Sequence, residues 1–228
     1  MLIEVIADTL SDALIAQEAG AGRIELVTGL AEGGLTPGYA VIERVCKELK
    51  IPVNVMIRPH SRGFCYSEED IEIMIEDISI CKKLGAAGVV FGVLTPQHQV
   101  HNDHLKRLID AADGLDITFH RAFDEADDQF AALESLVQYP QISRILTSGG
   151  KRSAAEAAEI LKRLHELTDD SHLEIMAGAG LSIENIQAFL EKVPVTEVHF
   201  GTGVRFQSSY DHQIDPERVR RIIKIICA

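Results

Sequence analysis

Eight short apolar runs, each followed by a longer stretch of helical periodicity, predict one α/β domain, a single (β/α)8 TIM barrel spanning residues 1–228. Two further observations agree. The chain allows about 28 residues per unit, close to the spacing of a ~250-residue barrel, so little is left for a second domain. Glycine-rich spots fall just after the strand-like runs, where a barrel carries the loops of its functional face. The rival is a doubly wound open sheet, whose dinucleotide-binding form carries G-x-G-x-x-G after its first strand. Ala7-Asp8-Thr9-Leu10-Ser11 has nothing of that pattern.

In the first run, 2–7, Ile3 and Val5 alternate with Glu4. The second, 23–27, alternates Ile24 and Leu26 with Glu25 and precedes Gly33-Gly34. The third, 53–58, sets Val55 and Ile57 against Asn54 and Arg58. Ser67-Glu68-Glu69-Asp70 then marks a helix start, with Ser67 as N-cap and the acids at the positive helix end. The fourth run, 88–93, is almost wholly apolar, and the fifth, 116–121, alternates Ile117 and Phe119 with Thr118 and His120. The sixth, 143–148, leads into Gly149-Gly150, and a helix rich in Ala, Glu and Leu is expected from Ser153 to about Leu167. The seventh, 173–177, places Leu173 and Ile175 opposite Met176 and precedes Gly178-Ala179-Gly180. The eighth, 196–201, alternates Val198 and Phe200 with His199 before Gly201-Thr202-Gly203.

Composition narrows the function classes. With 46% hydrophobic residues, 25% charged and seven prolines the chain has the makings of a core, which excludes intrinsic disorder. A net charge of −13 disfavours nucleic acid and anionic membrane surfaces as partners, while still allowing a small anion in a local basic pocket. The N-terminus Met1-Leu2-Ile3-Glu4 has no basic region, and the longest apolar stretch, Ala86 to Leu94, is far too short to span a bilayer. A soluble, cytoplasmic protein is expected. Cys46, Cys65, Cys81 and Cys227 are widely spaced without C-x-x-C and read as reduced thiols.

Alternation fixes what points to the barrel axis. The outward set must be apolar to pack under helices, which leaves Glu4, Glu25, Asn54, Arg58, Thr118, His120, Met176 and His199 inside. Unpaired charges there would cost several kcal/mol each, on the order of a lost buried hydrogen bond or more. A buried ion pair between Glu25 and Arg58 on the adjacent strand would fill the interior without chemistry. Alternatively, Arg58, His120 and His199, each late in its strand, line the mouth as anion anchor and acid/base groups, with Glu4 and Glu25 holding them. The candidate catalytic set is therefore Glu25, Arg58, His120 and His199.

The loops after strands 6 to 8 suggest an anion site. Ser148, Gly149 and Gly150, then Gly178 and Gly180, then Gly201 and Gly203 would offer backbone N–H groups near helix starts, with Lys151 and Arg205 nearby in sequence. No strand run contains lysine, which excludes a Schiff-base aldolase. His98, His101 and His104 read as a solvated loop and helix start rather than a metal site, and His165 and His172 as surface residues.

Several segments have a specific look: Glu32-Gly33-Gly34-Leu35-Thr36-Pro37, Met56-Ile57-Arg58-Pro59, Phe64-Cys65-Tyr66-Ser67, Gly92-Val93-Leu94-Thr95-Pro96 and Thr118-Phe119-His120-Arg121-Ala122-Phe123-Asp124. Together they resemble the CutC family from the first strand to the eighth. The resemblance implies a TIM barrel, a cytoplasmic location and a role in copper homeostasis, with copper binding attributed to some members. Cu(I) prefers thiolate and thioether. Many relatives carry cysteines in strand 1 and late in strand 2, where this chain has Ile6 and Val27. His60-Ser61-Arg62-Gly63 also departs from the family's usual glycine pair. Cys65 is then the candidate metal ligand, with Met56, Met176 or His120 as companions.

Two functions follow as expectations: copper homeostasis with Cu(I) held through Cys65, or a barrel enzyme acting by acid/base chemistry on a small phosphorylated or anionic metabolite. A scaffold that only binds is third. A homodimer or higher homo-oligomer is expected on general grounds.

Overall fold

The computed structural model describes residues 1–227 and is a closed ring of eight parallel strands in sequence order, β8 pairing back onto β1. The strands are β1 (Leu2–Ala7), β2 (Arg23–Leu26), β3 (Val53–Met56), β4 (Gly88–Phe91), β5 (Asp116–Phe119), β6 (Ile142–Thr147), β7 (Glu174–Ala177) and β8 (Glu197–Phe200). The helices outside are α1 (Leu10–Ala19), α2 (Tyr39–Glu48), α3 (Glu68–Lys83), α4 (Asn102–Ala111), α5 (Gln129–Leu136), α6 (Ala158–Thr168), α7 (Ile186–Leu190) and α8 (Pro216–Ile226).

Alternation divides the apolar residues as expected. Ile24, Leu26, Val55, Val89, Phe91, Phe119, Ile145, Ile175, Val198 and Phe200 are wholly buried under the helices and belong to one continuous core. Burying each such side chain is worth about 1.5–3 kcal/mol, so this layer is the main stabiliser of the ring. A second, small cluster of Ile6, Val27, Leu30, Met56 and Val90 lies inside the barrel, separate from the first.

Local signals place the helices. Ser67 caps α3 by accepting from the Asp70 N–H, while the Asp70 carboxylate accepts from the Ser67 N–H at 3.0 Å, a closed capping box. Pro216 opens α8 behind the Asp215 cap. His101 caps α4 and its ring stacks on His104 with centroids 3.7 Å apart, so this histidine cluster is a helix start. Several boundaries differ from expectation. The segment from Ser153 begins as a 3-10 turn over Ala154–Ala157, and the α-helix starts only at Ala158. The regular strands are also shorter than the apolar runs: β3 stops at Met56 and β5 at Phe119. Ile57 N–H still reaches Val90 O and His120 N–H reaches Phe91 O, so Arg58 and His120 stand on the rim rather than within the strands.

Polar residues close the other end of the barrel. Arg23 Nε donates to Glu4 Oε2 and its Nη2 to Glu197 Oε2, both at 2.5 Å. Arg144 Nε lies 2.9 Å from the same Glu197 oxygen, and Arg144 Nη1 donates to Asp116 Oδ2 at 2.5 Å and to Thr118 Oγ1 at 3.0 Å. Asn54 Nδ2 completes the row at Asp116, 3.0 Å away. Two arginines and three carboxylates thus satisfy one another where a barrel more often stacks branched aliphatics.

Candidate functional site

A cavity of about 290 Å³ opens at the C-terminal ends of the strands, the end at which barrels of this kind carry their sites. Glu25 from β2 and His199 from β8 line its floor, and Arg58 and His120, just past β3 and β5, line its wall. Phe64, Met56, Leu146 and Tyr210 supply apolar and aromatic surface.

The floor is a proton-linked cluster. Strand pairing sets Glu4 beside His199, whose Nδ1 lies 2.7 Å from Glu4 Oε1. Glu4 is fully enclosed; burial pushes its carboxyl up, but Arg23 and His199 outweigh that and hold it down at about 2. His199 Nε2 lies 3.8 Å from Glu25 Oε2. Burial, with the Glu4 charge adding to it, pushes the Glu25 carboxyl up to about 7 against the pull of His199 and Arg23. Burial pushes the His199 imidazole down, and the two carboxylates more than reverse this, so its net shift is upward. Glu25 Oε1 has no hydrogen-bond partner within the described residues and belongs to a residue lining the cavity.

The wall has the opposite character. Arg58 is buried and makes no ion pair among the described residues. Its Nη1 donates to the carbonyls of Glu32 (2.8 Å) and Gly34 (3.1 Å), its guanidinium lies 4.7 Å from the Phe64 ring centroid, and Nε is unpartnered. His120 Nδ1 accepts from the Ala122 N–H at 3.1 Å, and its ring packs 4.8 Å from that of Phe64. Burial, then Arg58 and Arg121, lower the His120 imidazole to about 3. A neutral imidazole with Nδ1 already accepting carries its proton on Nε2, and that atom has no partner among the described residues. Gly92 makes room for this ring, since a Cβ there would come within 2.6 Å of His120 Nδ1.

The four candidate catalytic residues therefore share one cavity, but Glu25 and Arg58 are not paired. Strand pairing sets Glu25 beside Asn54, and Arg58 stands on the rim beyond it. The glycine loops are divided. Gly180, Gly201 and Gly203 line the cavity, whereas Ser148, Gly149, Gly150 and Gly178 do not. The amides of Ser148 and Gly150 donate to the Asp124 carboxylate, so the chain's own acid fills the cradle after β6. Gly178 serves packing, as a Cβ would meet Leu146 Cδ1 at 2.5 Å. Arg205 is buried against Asp12 at 2.7 Å and does not itself line the cavity, standing behind Ile6 and Tyr210, which do. Arg121 and Tyr210 line the mouth without having been singled out. Arg121 belongs to the Thr118–Asp124 motif, and Tyr210 comes from an irregular loop with no periodic signal.

Sequence comparison places this architecture. The CutC family is matched over residues 1–204. The chain belongs to the CutC family. It is 40% identical over 213 residues to the family protein CutC of Pasteurella multocida, covering 93% of this chain and 86% of that protein. It is also 40% identical over 214 residues to the human copper homeostasis protein cutC homolog, covering 91% and 78%. A crystal structure of CutC from Streptococcus agalactiae superposes with a TM-score of 0.81 at 34% identity, covering 88% of this chain and 98% of that one. Phosphoribosyl anthranilate isomerase of Thermotoga maritima, at 15% identity and a TM-score of 0.67, shares the fold alone.

The copper that the CutC name suggests does not fit these residues as Cu(I). Cys65 is exposed and outside the cavity lining. Burial pushes the Cys46 thiol up to about 11 and the Cys81 thiol to about 12, so both stay protonated on outer helices. Ile6 and Val27 belong to the inner apolar cluster, and Met176 Sδ already accepts from Arg23 Nη2 at 3.3 Å. Met56 is the one soft donor on the cavity wall among the described residues. Glu4, Glu25 and His199 bring three ligand-type atoms within 4.8 Å of one another, but they are hard or borderline donors. Both Glu4 oxygens are also committed, one to Arg23 and one to His199.

Proposed function

We propose that this chain contributes to copper homeostasis, the role named for its human and mouse relatives, and that it acts through the mouth cavity on a small anionic ligand rather than as a carrier of Cu(I). Identity of 40% over 91% of the chain supports the first half. The second half rests on one observation: Arg58, buried and without a counter-ion among the described residues, lines the same cavity as His120, whose Nε2 has no partner among those residues. A buried guanidinium with no carboxylate partner is costly unless an anion completes it, and the unpartnered atoms supply the donors that anion needs.

The test has two arms. In an anaerobic competition for Cu(I) against a chromophoric cuprous chelator, wild type and Cys65→Ser are expected to leave the metal with the chelator. Stoichiometric capture by wild type, removed by Cys65→Ser, would restore the thiolate carrier. In calorimetric titrations, inorganic phosphate or oxalate is expected to bind wild type and to lose at least about tenfold in affinity in Arg58→Gln, since a charge-assisted hydrogen bond is worth about 1.5–3 kcal/mol. Equal affinity in the two proteins would remove Arg58 from the site.

No helix among the described residues is long and apolar enough to cross a membrane.

A further inference from the structure

We propose that the cavity catalyses proton transfer at a carbon next to a carbonyl group, with Glu25 as the base, the Nε2–H of His120 as the donor to the carbonyl oxygen, and Arg58 holding an oxyanion on the same small substrate. This rests on the reading of the mouth as an anion site and adds the reaction and the substrate class.

Geometry supplies the division of labour. Glu25 stands on the arc formed by β8, β1 and β2, and Arg58 and His120 on the arc of β3 to β5, with the cavity between them. Glu25 Oε1 on one arc, and His120 Nε2 and Arg58 Nε on the other, are without hydrogen-bond partners among the described residues. His120 is held in one orientation by the Ala122 amide and the Phe64 ring, so its N–H is aimed before any ligand arrives. Because Nδ1 is occupied and the ring stays neutral, the imidazole donates a hydrogen bond and does not accept a proton at neutral pH. Glu25 is the opposite: half-ionised near neutrality, it can take a proton and return it. A neutral histidine donor paired with a carboxylate base is an arrangement suited to enolisation.

The step balances without a co-reactant. Glu25 takes the proton from the carbon, and that C–H pair forms a carbon–carbon double bond as the carbonyl π pair moves onto oxygen. His120 stabilises the enolate oxygen by its hydrogen bond. The Glu25 carboxyl exchanges its proton with solvent and returns one to the same carbon, where the double-bond pair takes it up as the carbonyl re-forms, giving hydrogen exchange. Nothing is oxidised and no group leaves.

The anion on Arg58 is a carboxylate or a phosphate, and the probes separate them. Hydroxypyruvate and dihydroxyacetone phosphate would be incubated with the protein in deuterium oxide, with uncharged dihydroxyacetone alongside, and deuterium entry followed by proton NMR. Exchange at least about 100-fold above buffer is expected for one charged probe and not for the uncharged one. The rate should rise with pH through about 7 as Glu25 ionises. It should fall to the buffer level in Glu25→Gln and by about 100-fold in His120→Ala. His120→Gln, which keeps an N–H donor, should recover part of that loss. Thermal melts of each variant identify any that has not folded, and the wild-type pH profile stands without them.

Binding of phosphate or oxalate without exchange of either charged probe overturns the proton-transfer step and leaves the anion site standing. Failure of phosphate and oxalate to bind, together with absent exchange, overturns both. Exchange that survives in Glu25→Gln removes Glu25 as the base.

Discussion

The Ser148 amide donates to both carboxylate oxygens of Asp124, at 3.1 Å each. The same carboxylate accepts from the Gly150 amide at 3.0 Å and from Thr147 Oγ1 at 2.5 Å, and Arg121 Nε binds it at 2.7 Å. A loop whose glycines suggest a phosphate cradle is thus closed by a side chain that follows β5.

Removing that carboxylate should therefore destabilise the β6 loop rather than leave it indifferent. Asp124→Ala leaves the amides of Ser148 and Gly150 without their acceptor, and unfolding in urea is expected to show a loss of about 2–4 kcal/mol. A change under 0.5 kcal/mol, about the size expected at an uninvolved surface position, would mean that the cradle is satisfied by water instead.

Arg23 lies between two carboxylates on the barrel floor. Arg23→Met keeps much of the volume but removes the cation shared by Glu4 and Glu197, leaving them His199 and Arg144, so a loss of about 3–5 kcal/mol in denaturant unfolding is expected. The double variant Arg23→Met, Glu197→Gln should recover part of it. Additive losses would show that the two residues are not coupled.

Stability should also depend on pH in a way that separates the floor from the wall. Glu25 is faced by His199, Glu4, Arg23 and Tyr210, and its folded carboxyl is raised to about 7. The folded state therefore keeps a proton that the unfolded chain has already released, and stability falls as pH rises from about 4.5 to 7. His199, raised as well, adds to the fall above its ordinary value. His120 works the other way: lowered to about 3, it releases its proton in the folded state first, so stability rises between about 3 and 6.5. Between pH 4.5 and 6.5 the two slopes oppose each other, so urea midpoints should rise more steeply with pH in Glu25→Gln than in wild type and fall more steeply in His120→Gln. Parallel curves for wild type and Glu25→Gln would show that Glu25 titrates normally.

Much of this was legible in the alternation of eight short runs, because each outward face had to be apolar and whatever remained had to face the axis. Glu4, Glu25, His120 and His199 fall out of that rule directly. Arg23, Arg144 and Glu197 obey it equally, but they sit in the first halves of their strands, where charged residues ordinarily mark an exposed end, and their pairing depends on which neighbours close the ring. The Glu25–Arg58 pair failed for a related reason. Adjacent strands say who is beside whom, not at what height, and the register sets Glu25 against Asn54. The role of Asp124 was hidden because a glycine pair after a strand looks the same whether the anion it holds is a ligand or a side chain.

Glu4 and His199 are 195 residues apart in the chain, and their hydrogen bond spans the seam where the last strand meets the first. The floor of the cavity consequently cannot exist before the last strand has joined the first: seven strands without the eighth have no acid–base pair, however well formed their helices. Such long-range closure is slow relative to local structure. During refolding, far-ultraviolet ellipticity would return first and the working centre only on completion of the ring, so recovery of function times the closing of the seam.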